Sequence, residues 1–318
     1  MSTHKSVPPE SAPLSQPPSG ATSEPQLNAW IAALGRMSAN HPAIARILHV
    51  IDRLQDHPFR AHVVIYGEPG TGKEGLARLI HRLMHADNEA APLERVNLAG
   101  CTADEMLKLL FGADTYRSGD GSIHGVRSGA LMRAQGGSLI VDELLALPLD
   151  VQRHLGERLS EQRLGKDSRS SSGQPSNGVT LIGLTDGSLP RAVQQQLFRH
   201  DLAHRLMRIV LQVPPLRERP DDIAHSALWI ANRVLRARGI QRPAELFESE
   251  ASESLLSADA YRVTALAIAA LKRHHWPGNF RELEAVLERA ILLYSDGEQL
   301  RPEDVTAALG DSWLLPLG

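Results

Sequence analysis

The chain has 318 residues, of which 42% are apolar and only 4% aromatic, and its formal net charge is −3. This length favours two domains with a sizeable core, and the near-neutral charge argues against an overall affinity for nucleic acids or membrane surfaces. The single cysteine, Cys101, excludes an intramolecular disulfide and is typical of a reducing cytosol. The sequence contains neither a membrane-spanning apolar run nor an apolar signal segment, so we expect a cytoplasmic protein without a membrane partner.

The first segment, residues 1–26, is rich in proline and serine. It offers too little apolar surface to offset the entropy lost on ordering, so we expect a disordered tail. Its role is either that of a solubilising leader or that of a docking segment. Helical patterns begin at residue 27, and a strong amphipathic pattern covers residues 43–54.

A glycine-rich loop follows the apolar run of residues 63–66 and precedes a helical pattern over residues 75–83. The loop consists of Gly67, Glu68, Pro69, Gly70, Thr71, Gly72, Lys73 and Glu74. In a strand–loop–helix arrangement of this kind, backbone N–H groups converge on a phosphate and the lysine adds a positive charge. The loop therefore predicts nucleotide binding; the alternative is a glycine-rich turn with a chance lysine. Glu74 stands where most such loops carry a Ser or Thr that holds Mg²⁺.

Four further apolar runs predict strands after this loop. They cover residues 93–98, 138–143, 179–185 and 209–213, and helical patterns at 102–111, 149–160 and 189–206 lie between them. Strands that alternate with helices are typical of a parallel sheet. We therefore predict an α/β domain with a central parallel sheet over residues 27–218.

The pattern changes near residue 219, beyond which every periodic segment is helical. The predicted helices are residues 221–238, 247–256, 260–273, 279–294 and 302–309. We predict a small all-helical domain over residues 219–310, followed by a short tail at residues 311–318.

Two carboxylates, Asp142 and Glu143, end the second of these apolar runs. The ends of parallel strands meet at one edge of a sheet, so both side chains are expected near the glycine-rich loop. There Asp142 would hold Mg²⁺, and Glu143 would orient and deprotonate a water molecule that attacks a phosphate. The alternative is a strand that ends in solvated carboxylates. Thr185 and Asp186 end the next strand, where a polar side chain can contact the γ-phosphate or that water.

Three arginines are candidate phosphate contacts. Arg199 and Arg205 lie far from the glycine-rich loop in sequence, and they suit a role as arginine fingers supplied to the nucleotide of a neighbouring subunit. The alternative is an ordinary charged helix surface. Arg281 lies in the first turn of a helix that Asn279 is predicted to cap. A cation there opposes the helix dipole, which favours contact with a phosphate over an ordinary surface position.

Several segments resemble, in order, the AAA+ ATPase domain of the sigma-54-dependent bacterial enhancer-binding proteins. The resemblance covers roughly residues 35–310 and includes the unusual Glu74. It rests on GEPGTGKE (67–74), RVN (95–97), LFG (110–112), GGSLIVDE (136–143), FRHDLAHRL (198–206), VPPLRERPDDI (213–223) and HWPGNFRELEAVLERA (275–290).

The resemblance implies an AAA+ domain with a helical lid that binds ATP with Mg²⁺. It gives Lys73 to the phosphates, Asp142 to Mg²⁺ and Glu143 to the attacking water. It also implies that Asn97 pairs with Glu143 as a switch that reports the γ-phosphate.

Arg199 and Arg205 would then be fingers that act on a neighbouring subunit, and Arg281 would be the sensor of the lid. Fingers that act between subunits imply a ring of identical chains, by family a hexamer. The partners implied are sigma-54 or RNA polymerase, or a related AAA+ regulator.

The sequence departs from the family in three places. Residues 113–130 contain no GAFTGA motif, and Tyr116 is their only aromatic residue, which argues against productive engagement of sigma-54. Asp186 stands where the family has asparagine, and a carboxylate near the γ-phosphate repels it, which predicts slow or altered hydrolysis. The chain stops at Gly318, so we expect no Fis-type DNA-binding domain after the lid and no sensing domain before the ATPase.

Three hypotheses follow from these observations. The first is an active Mg²⁺-dependent ATPase that forms a ring and remodels a protein partner in transcription control. The second is a nucleotide-binding regulator with weak turnover that docks to a related ATPase or to RNA polymerase. The third is a general AAA+ machine outside transcription. Asp186 and the absence of GAFTGA favour the second hypothesis. The first is favoured by the intact set of Lys73, Asp142, Glu143, Arg199, Arg205 and Arg281.

Overall fold

The computed structural model describes residues 41–55, 61–86, 88–113, 127–163, 178–248, 257 and 259–310. The predicted tails at residues 1–26 and 311–318 lie outside the described residues. So do residues 114–126, which include Tyr116 and most of the segment where the family carries GAFTGA.

A parallel sheet forms the centre of the α/β domain. The strands described up to residue 212 are β1 (Val63–Tyr66), β2 (Leu93–Asn97), β3 (Gly112–Ala113), β4 (Arg127–Ser128), β5 (Ser138–Asp142), β6 (Thr180–Thr185) and β7 (Ile209–Gln212). Within the described residues, five of them form one parallel sheet in the order β2-β5-β6-β1-β7, and β3 pairs with β4 in a small antiparallel ladder. The predicted central strands are confirmed to within one residue at each end.

Helices cover both faces of this sheet. They are α1 (Pro42–Gln55), α2 (Lys73–Met84), α3 (Ala103–Phe111), α4 (Ala130–Arg133), α5 (Leu149–Arg163), α6 (Leu189–Gln194) and α7 (His200–Leu206). The single helix predicted over residues 189–206 is wrong, because α6 and α7 are separate. Gln196 adopts a left-handed conformation with φ of 58°, and this turn carries Phe198 into the core, where it is 2% exposed.

The second domain, the lid, is mainly helical. It contains α8 (Asp222–Ala237), β8 (Ala244–Phe247), β9 (Tyr261–Thr264), α9 (Ala265–Lys272), α10 (Asn279–Arg289), β10 (Gln299–Leu300) and α11 (Pro302–Gly310). The prediction of helices alone was wrong in this detail, because β10, β9 and β8 form a parallel sheet within the described part of the lid.

Strand β9 explains this error. Tyr261 and Val263 are fully buried, while Arg262 and Thr264 between and after them are only partly buried. This is the two-residue alternation of a strand, but it is only four residues long and runs directly into the alanine-rich helix α9. A helical period therefore masks it in the sequence. The helix predicted at 247–256 falls on the end of β8 and on residues 249–256, which lie outside the described residues.

The lid packs against the α/β domain through a shared apolar core. One cluster of buried side chains joins Ile44 and Ile80 of the α/β domain to Trp276, Phe280 and Leu283 of the lid. A second cluster lies on the other face of the sheet, beneath α3, α5 and α7. The first cluster holds the start of α10 over the glycine-rich loop. Nowhere in the described ranges is a helix long and apolar enough to cross a membrane.

Candidate functional site

The glycine-rich loop joins the end of β1 to the start of α2. Gly70 and Gly72 have φ of 77° and 97°, a left-handed conformation that glycine adopts without strain. Among the described residues, no side chain caps the start of α2. The start of the helix is therefore open to a ligand on its N–H groups, as in phosphate-binding loops. The Lys73 Nζ donates to the carbonyl oxygens of Gly67 at 2.5 Å and of Glu68 at 3.1 Å.

This loop forms the floor of a cleft of about 450 Å³. The cleft is lined by Pro69, Gly70, Thr71, Gly72, Lys73, Glu74, Arg95, Asn97, Ala99, Asp142, Glu143, Leu184, Arg281 and Glu284. Five separate parts of the sequence thus meet at this cleft, four of them at the carboxyl edge of the sheet and the fifth, with Arg281 and Glu284, on the lid. Most of the residues predicted to bind nucleotide or metal line this one cleft, while Arg95, Ala99, Leu184 and Glu284 were not predicted.

Glu143 is the candidate base of the cleft. It has a left-handed backbone with φ of 56° and lies directly after Asp142, the last residue of β5. Partial burial raises the pKa of the Glu143 carboxyl, the negative charges of Asp186 and Asp142 raise it further, and Lys73 opposes them. A carboxylate with a raised pKa is a better proton acceptor than an ordinary glutamate.

The charge of Asp186 acts on both Lys73 and Glu143, although Asp186 is exposed and does not line the cleft. Burial lowers the pKa of the Lys73 ammonium, and the carboxylates of Asp186, Asp142 and Glu143 oppose this effect. Thr185 is buried, and its hydroxyl donates to the carbonyl oxygen of Gly187 at 3.2 Å. The Thr185 side chain therefore stabilises the turn after β6. Of the two residues predicted to sense the γ-phosphate, Asp186 acts on the cleft, and it does so through its charge.

Asn97 lines the cleft at the end of β2, in register with Asp142 on β5. Its Oδ1 accepts a hydrogen bond from the N–H of Ala99 at 3.0 Å. The predicted partner of Asn97 was Glu143, but the described side-chain bond is a local one. Asn97 and Glu143 nevertheless both line the cleft.

Arg205 lies on α7 and Arg199 lies directly before it as the cap residue, and neither lines the cleft. The guanidinium of Arg199 forms an ion pair with Asp201, with an Nη2–Oδ2 distance of 2.8 Å. Arg281, in contrast, lies on α10 and lines the cleft from the lid side. Of the three arginines predicted to contact phosphate, Arg281 thus reaches the site of its own chain, whereas Arg199 and Arg205 do not.

A strap between the lid and the glycine-rich loop was not predicted. The Glu68 carboxylate accepts two bonds from Arg217, at 2.8 and 2.6 Å, and one from Asn279 Nδ2 at 3.2 Å. The Arg217 hydrogen bond holds the pKa of Glu68 below its usual value. Asn279 also donates to the carbonyl oxygen of Pro69 at 2.9 Å, and its Oδ1 accepts from the N–H of Leu216 at 2.7 Å.

The prediction that Asn279 caps α10 was wrong. Asn279 is the first residue of the helix, Gly278 precedes it as the cap residue, and Asn279 is fully buried with φ of 54°. Its side chain turns towards the glycine-rich loop, where Nδ2 donates to the backbone of Pro69, while Oδ1 accepts from the backbone of Leu216 beside the loop. An asparagine that caps a helix and one that bonds to a distant loop can have the same neighbours in sequence. Only the tertiary structure distinguishes the two roles.

The strap continues along the loop. The N–H of Phe280 donates to the carbonyl oxygen of Gly70 at 3.0 Å, and Arg219 Nη2 donates to that of Thr71 at 3.2 Å. Arg219 is buried against the Phe280 ring and pairs with Asp222, and burial lowers its pKa to about 10. Residues 68–71 are thereby fixed to the lid and to the segment that leads into it.

We expect Asn279→Ala to lower the free energy of unfolding by about 2–4 kcal/mol, because it leaves the buried N–H of Leu216 without its acceptor. Alanine is also strained in the left-handed conformation of this residue. Affinity for nucleotide is expected to fall as well, since the loop loses its strap. Urea unfolding followed by circular dichroism, together with binding of fluorescent ADP, measures both effects.

The matched control is Asn232→Ala. Asn232 makes comparable bonds to the backbone of Leu228 and Ala244, but entirely within the lid. We expect it to lose stability without losing affinity for nucleotide. Equal loss of affinity in both variants would contradict the strap.

These features define the class of the protein: it has a P-loop NTPase fold of the AAA+ type, with a parallel five-strand sheet in its described part. The family model of the Sigma-54 interaction domain matches residues 37–212, and that of the AAA+ ATPase lid domain matches residues 235–312. The chain belongs to the family of sigma-54-dependent transcriptional activators. The predicted family and fold class are thereby confirmed.

Similar proteins are transcription regulators. The nitric oxide reductase transcription regulator NorR1 of Cupriavidus necator is 35% identical over 262 residues, which are 81% of this chain and 45% of that protein. The DNA-binding transcriptional regulator NtrC of Escherichia coli strain K12 is 32% identical over 272 residues, 85% of this chain and 52% of that protein. The chain spans about half the length of these curated relatives.

A solved structure of similar fold is that of NtrX from Brucella abortus in complex with ADP. It has a TM-score of 0.63 and 28% identity, over 90% of this chain and 57% of that one. NtrX has also been crystallised with ATP, and that structure has a TM-score of 0.62 and 27% identity.

Proposed function

We propose that this chain binds ATP with Mg²⁺ in the cleft and hydrolyses it, as a member of a ring of identical chains in the cytoplasm. The observation that carries the proposal is the meeting of Lys73, Asp142 and Glu143 at the open start of α2. A phosphate cradle, a metal-type carboxylate and a candidate base are the three groups that phosphoryl transfer to water requires.

Binding of the phosphates is the role of the loop and Lys73. The N–H groups at the start of α2 suit phosphate oxygens, and the Lys73 ammonium can exchange its carbonyl partners for them. Arg281 adds a second cation from the lid side. The complexes of NtrX with ADP and ATP support nucleotide as the ligand of this chain as well.

The residues present also fit Mg²⁺. This ion prefers oxygen ligands and is usually held by one or two carboxylates together with the phosphates of a substrate. The carboxylate oxygens of Asp142 line the cleft beside the loop, and Glu74 supplies a second carboxylate on its wall. When bound, the metal neutralises charge on the phosphate oxygens.

Hydrolysis is the role of Glu143. Its carboxylate accepts a proton from water, and partial burial together with two negative neighbours makes it a stronger acceptor. Arg199 and Arg205 lie away from the cleft of their own chain, so we assign them to the cleft of a neighbour, where a planar guanidinium offsets developing negative charge. In a closed ring every chain both supplies arginine fingers to one neighbour and receives them from the other. We propose that this ring is a hexamer.

The experiment that tests this function is ATP turnover by the purified chain over a range of protein concentrations, with mass measured in parallel by light scattering. We expect turnover per chain to rise as larger assemblies form. Arg199→Ala and Arg205→Ala are expected to lose turnover and keep nucleotide binding. The control is Arg191→Ala, at an exposed position of the neighbouring helix α6. Constant turnover per chain, at a mass that stays monomeric, would contradict fingers that act between subunits.

We propose sigma-54, or RNA polymerase that contains it, as the partner that the ring contacts, because the Sigma-54 interaction domain model matches residues 37–212. The absence of GAFTGA from residues 113–130 counts against productive remodelling of sigma-54. A second candidate is a regulator with weak turnover that docks to a related AAA+ ATPase or to RNA polymerase. The observation in its favour is the charge of Asp186 next to both Lys73 and Glu143. Binding of ATP with turnover that stays weak at every protein concentration would select this second candidate.

A further inference from the structure

Arg95 is a cation of the cleft that the proposed mechanism does not use. It lies on β2, two residues before Asn97, and both side chains are exposed while Val96 between them is buried. The guanidinium Nη2 of Arg95 is 2.8 Å from Asp142 Oδ2 and 3.2 Å from Glu74 Oε2. Arg95 thus bridges the carboxylate assigned to the metal and the carboxylate at the end of the glycine-rich loop.

Glu74 helps to hold Arg95 in this position. The other oxygen of Glu74, Oε1, accepts bonds from Arg78 at 2.8 and 3.2 Å. A row of alternating charges therefore runs from Arg78 through Glu74 and Arg95 to Asp142. An alternating row of this kind is more stable than an isolated surface pair, since each side chain is already restrained by its other partner.

We propose that Arg95 is an internal counter-cation of Asp142 that competes with Mg²⁺ for this carboxylate. The inference rests on the proposed function and adds a regulation of the same site. The cleft binds a nucleotide with little help from Mg²⁺, and Mg²⁺ has to displace Arg95 from Asp142 in order to bind. Arg95 and Mg²⁺ both bind the carboxylate oxygens of Asp142, so the binding of one weakens the binding of the other.

Two effects of opposite sign follow for Arg95→Ala. Without metal, the variant leaves the charge of Asp142 unbalanced beside Glu143 and Glu74, and this charge repels the phosphates of a nucleotide. With metal, the variant offers Asp142 to Mg²⁺ without a competitor. The side chains of Arg95 and Asp142 are 39% and 21% accessible, so solvent weakens both effects. We expect each to change a binding constant by about 5- to 10-fold.

The experiment is binding of fluorescently labelled ADP by the full chain, first in EDTA and then during a titration with Mg²⁺. ADP is chosen so that turnover does not enter the readout. For Arg95→Ala we expect about 5- to 10-fold weaker binding in EDTA than for the wild type, and half-saturation at an about 5- to 10-fold lower Mg²⁺ concentration. Arg133→Ala is the matched control, because Arg133 pairs with Glu94 of the same strand β2 and does not line the cleft; it is expected to behave as the wild type.

The outcomes separate this inference from the function on which it rests. If the wild type does not bind ADP under either condition, the proposed function is wrong and the role of Arg95 falls with it. If the wild type binds but Arg95→Ala has the same Mg²⁺ dependence, the function stands and the counter-cation is refuted. Weaker binding by the same factor with and without Mg²⁺ also refutes it, because Arg95 would then contact the phosphates regardless of the metal.

Discussion

Replacement of Lys73 by alanine is expected to lower the affinity for ATP by at least about 100-fold, which corresponds to roughly 3 kcal/mol. Lys73 is the only lysine that lines the cleft in the part of the chain that the structure describes. The charges of Asp186, Asp142 and Glu143 all act on it. Without the ammonium, these carboxylates face the phosphates with less positive charge to offset them.

The measurement is the melting temperature with and without ATP. A ligand that binds only the folded protein raises its melting temperature by mass action. ATP is therefore expected to raise the melting temperature of the wild type and to leave that of Lys73→Ala unchanged. The control is Lys272→Ala, since Lys272 belongs to a surface pair with Asp221 on the lid and lies outside the cleft. A shift of equal size in Lys73→Ala and in the wild type would show that the loop does not hold the phosphates.

The sequence was sufficient to predict the inner strands of the central sheet, β1, β5 and β6, because they are buried on both faces. Strands β5 and β6 read as nearly continuous apolar runs, and all six residues of β6 are buried. The order of the strands could not be obtained in this way. The placement of β1 between β6 and β7 depends on pairing between segments more than a hundred residues apart, which no local pattern encodes.

The cleft was predictable where its chemistry follows from short motifs. The glycine-rich loop and the Asp142–Glu143 pair have local signatures, and they meet because parallel strands end at one edge of the sheet. Arg95 and Asn279 have no such signature. Asp142 lies 47 residues from Arg95, and the partners of Asn279 lie up to 211 residues away, so both roles depend on tertiary contacts.

Glu143→Gln is expected to lower ATP turnover by about 1,000-fold while nucleotide binding is retained, because the amide cannot accept the proton of the attacking water. The change is isosteric and removes a carboxylate that burial already disfavours, so the fold is expected to persist. Phosphate release measures turnover, and fluorescent ADP measures binding. Glu284→Gln is the matched control, since it makes the same change in the same cleft, at a lid residue paired with Arg233. If both variants lose turnover equally, Glu143 is not the base.

The pH dependence of turnover tests the same assignment independently. Glu143 must be ionised to accept a proton, and its pKa is raised by burial first and then by Asp186 and Asp142. Turnover is therefore expected to fall on acidification at a higher pH than an ordinary glutamate, with a pKa of about 4.3, would give. In Asp186→Asn one of the negative neighbours of Glu143 is removed, so the acid limb is expected to move to lower pH. The same variant removes a charge that repels phosphate, so its affinity for ATP is expected to rise. If the acid limb of the pH profile stays in place in Asp186→Asn, the group that titrates there is not Glu143.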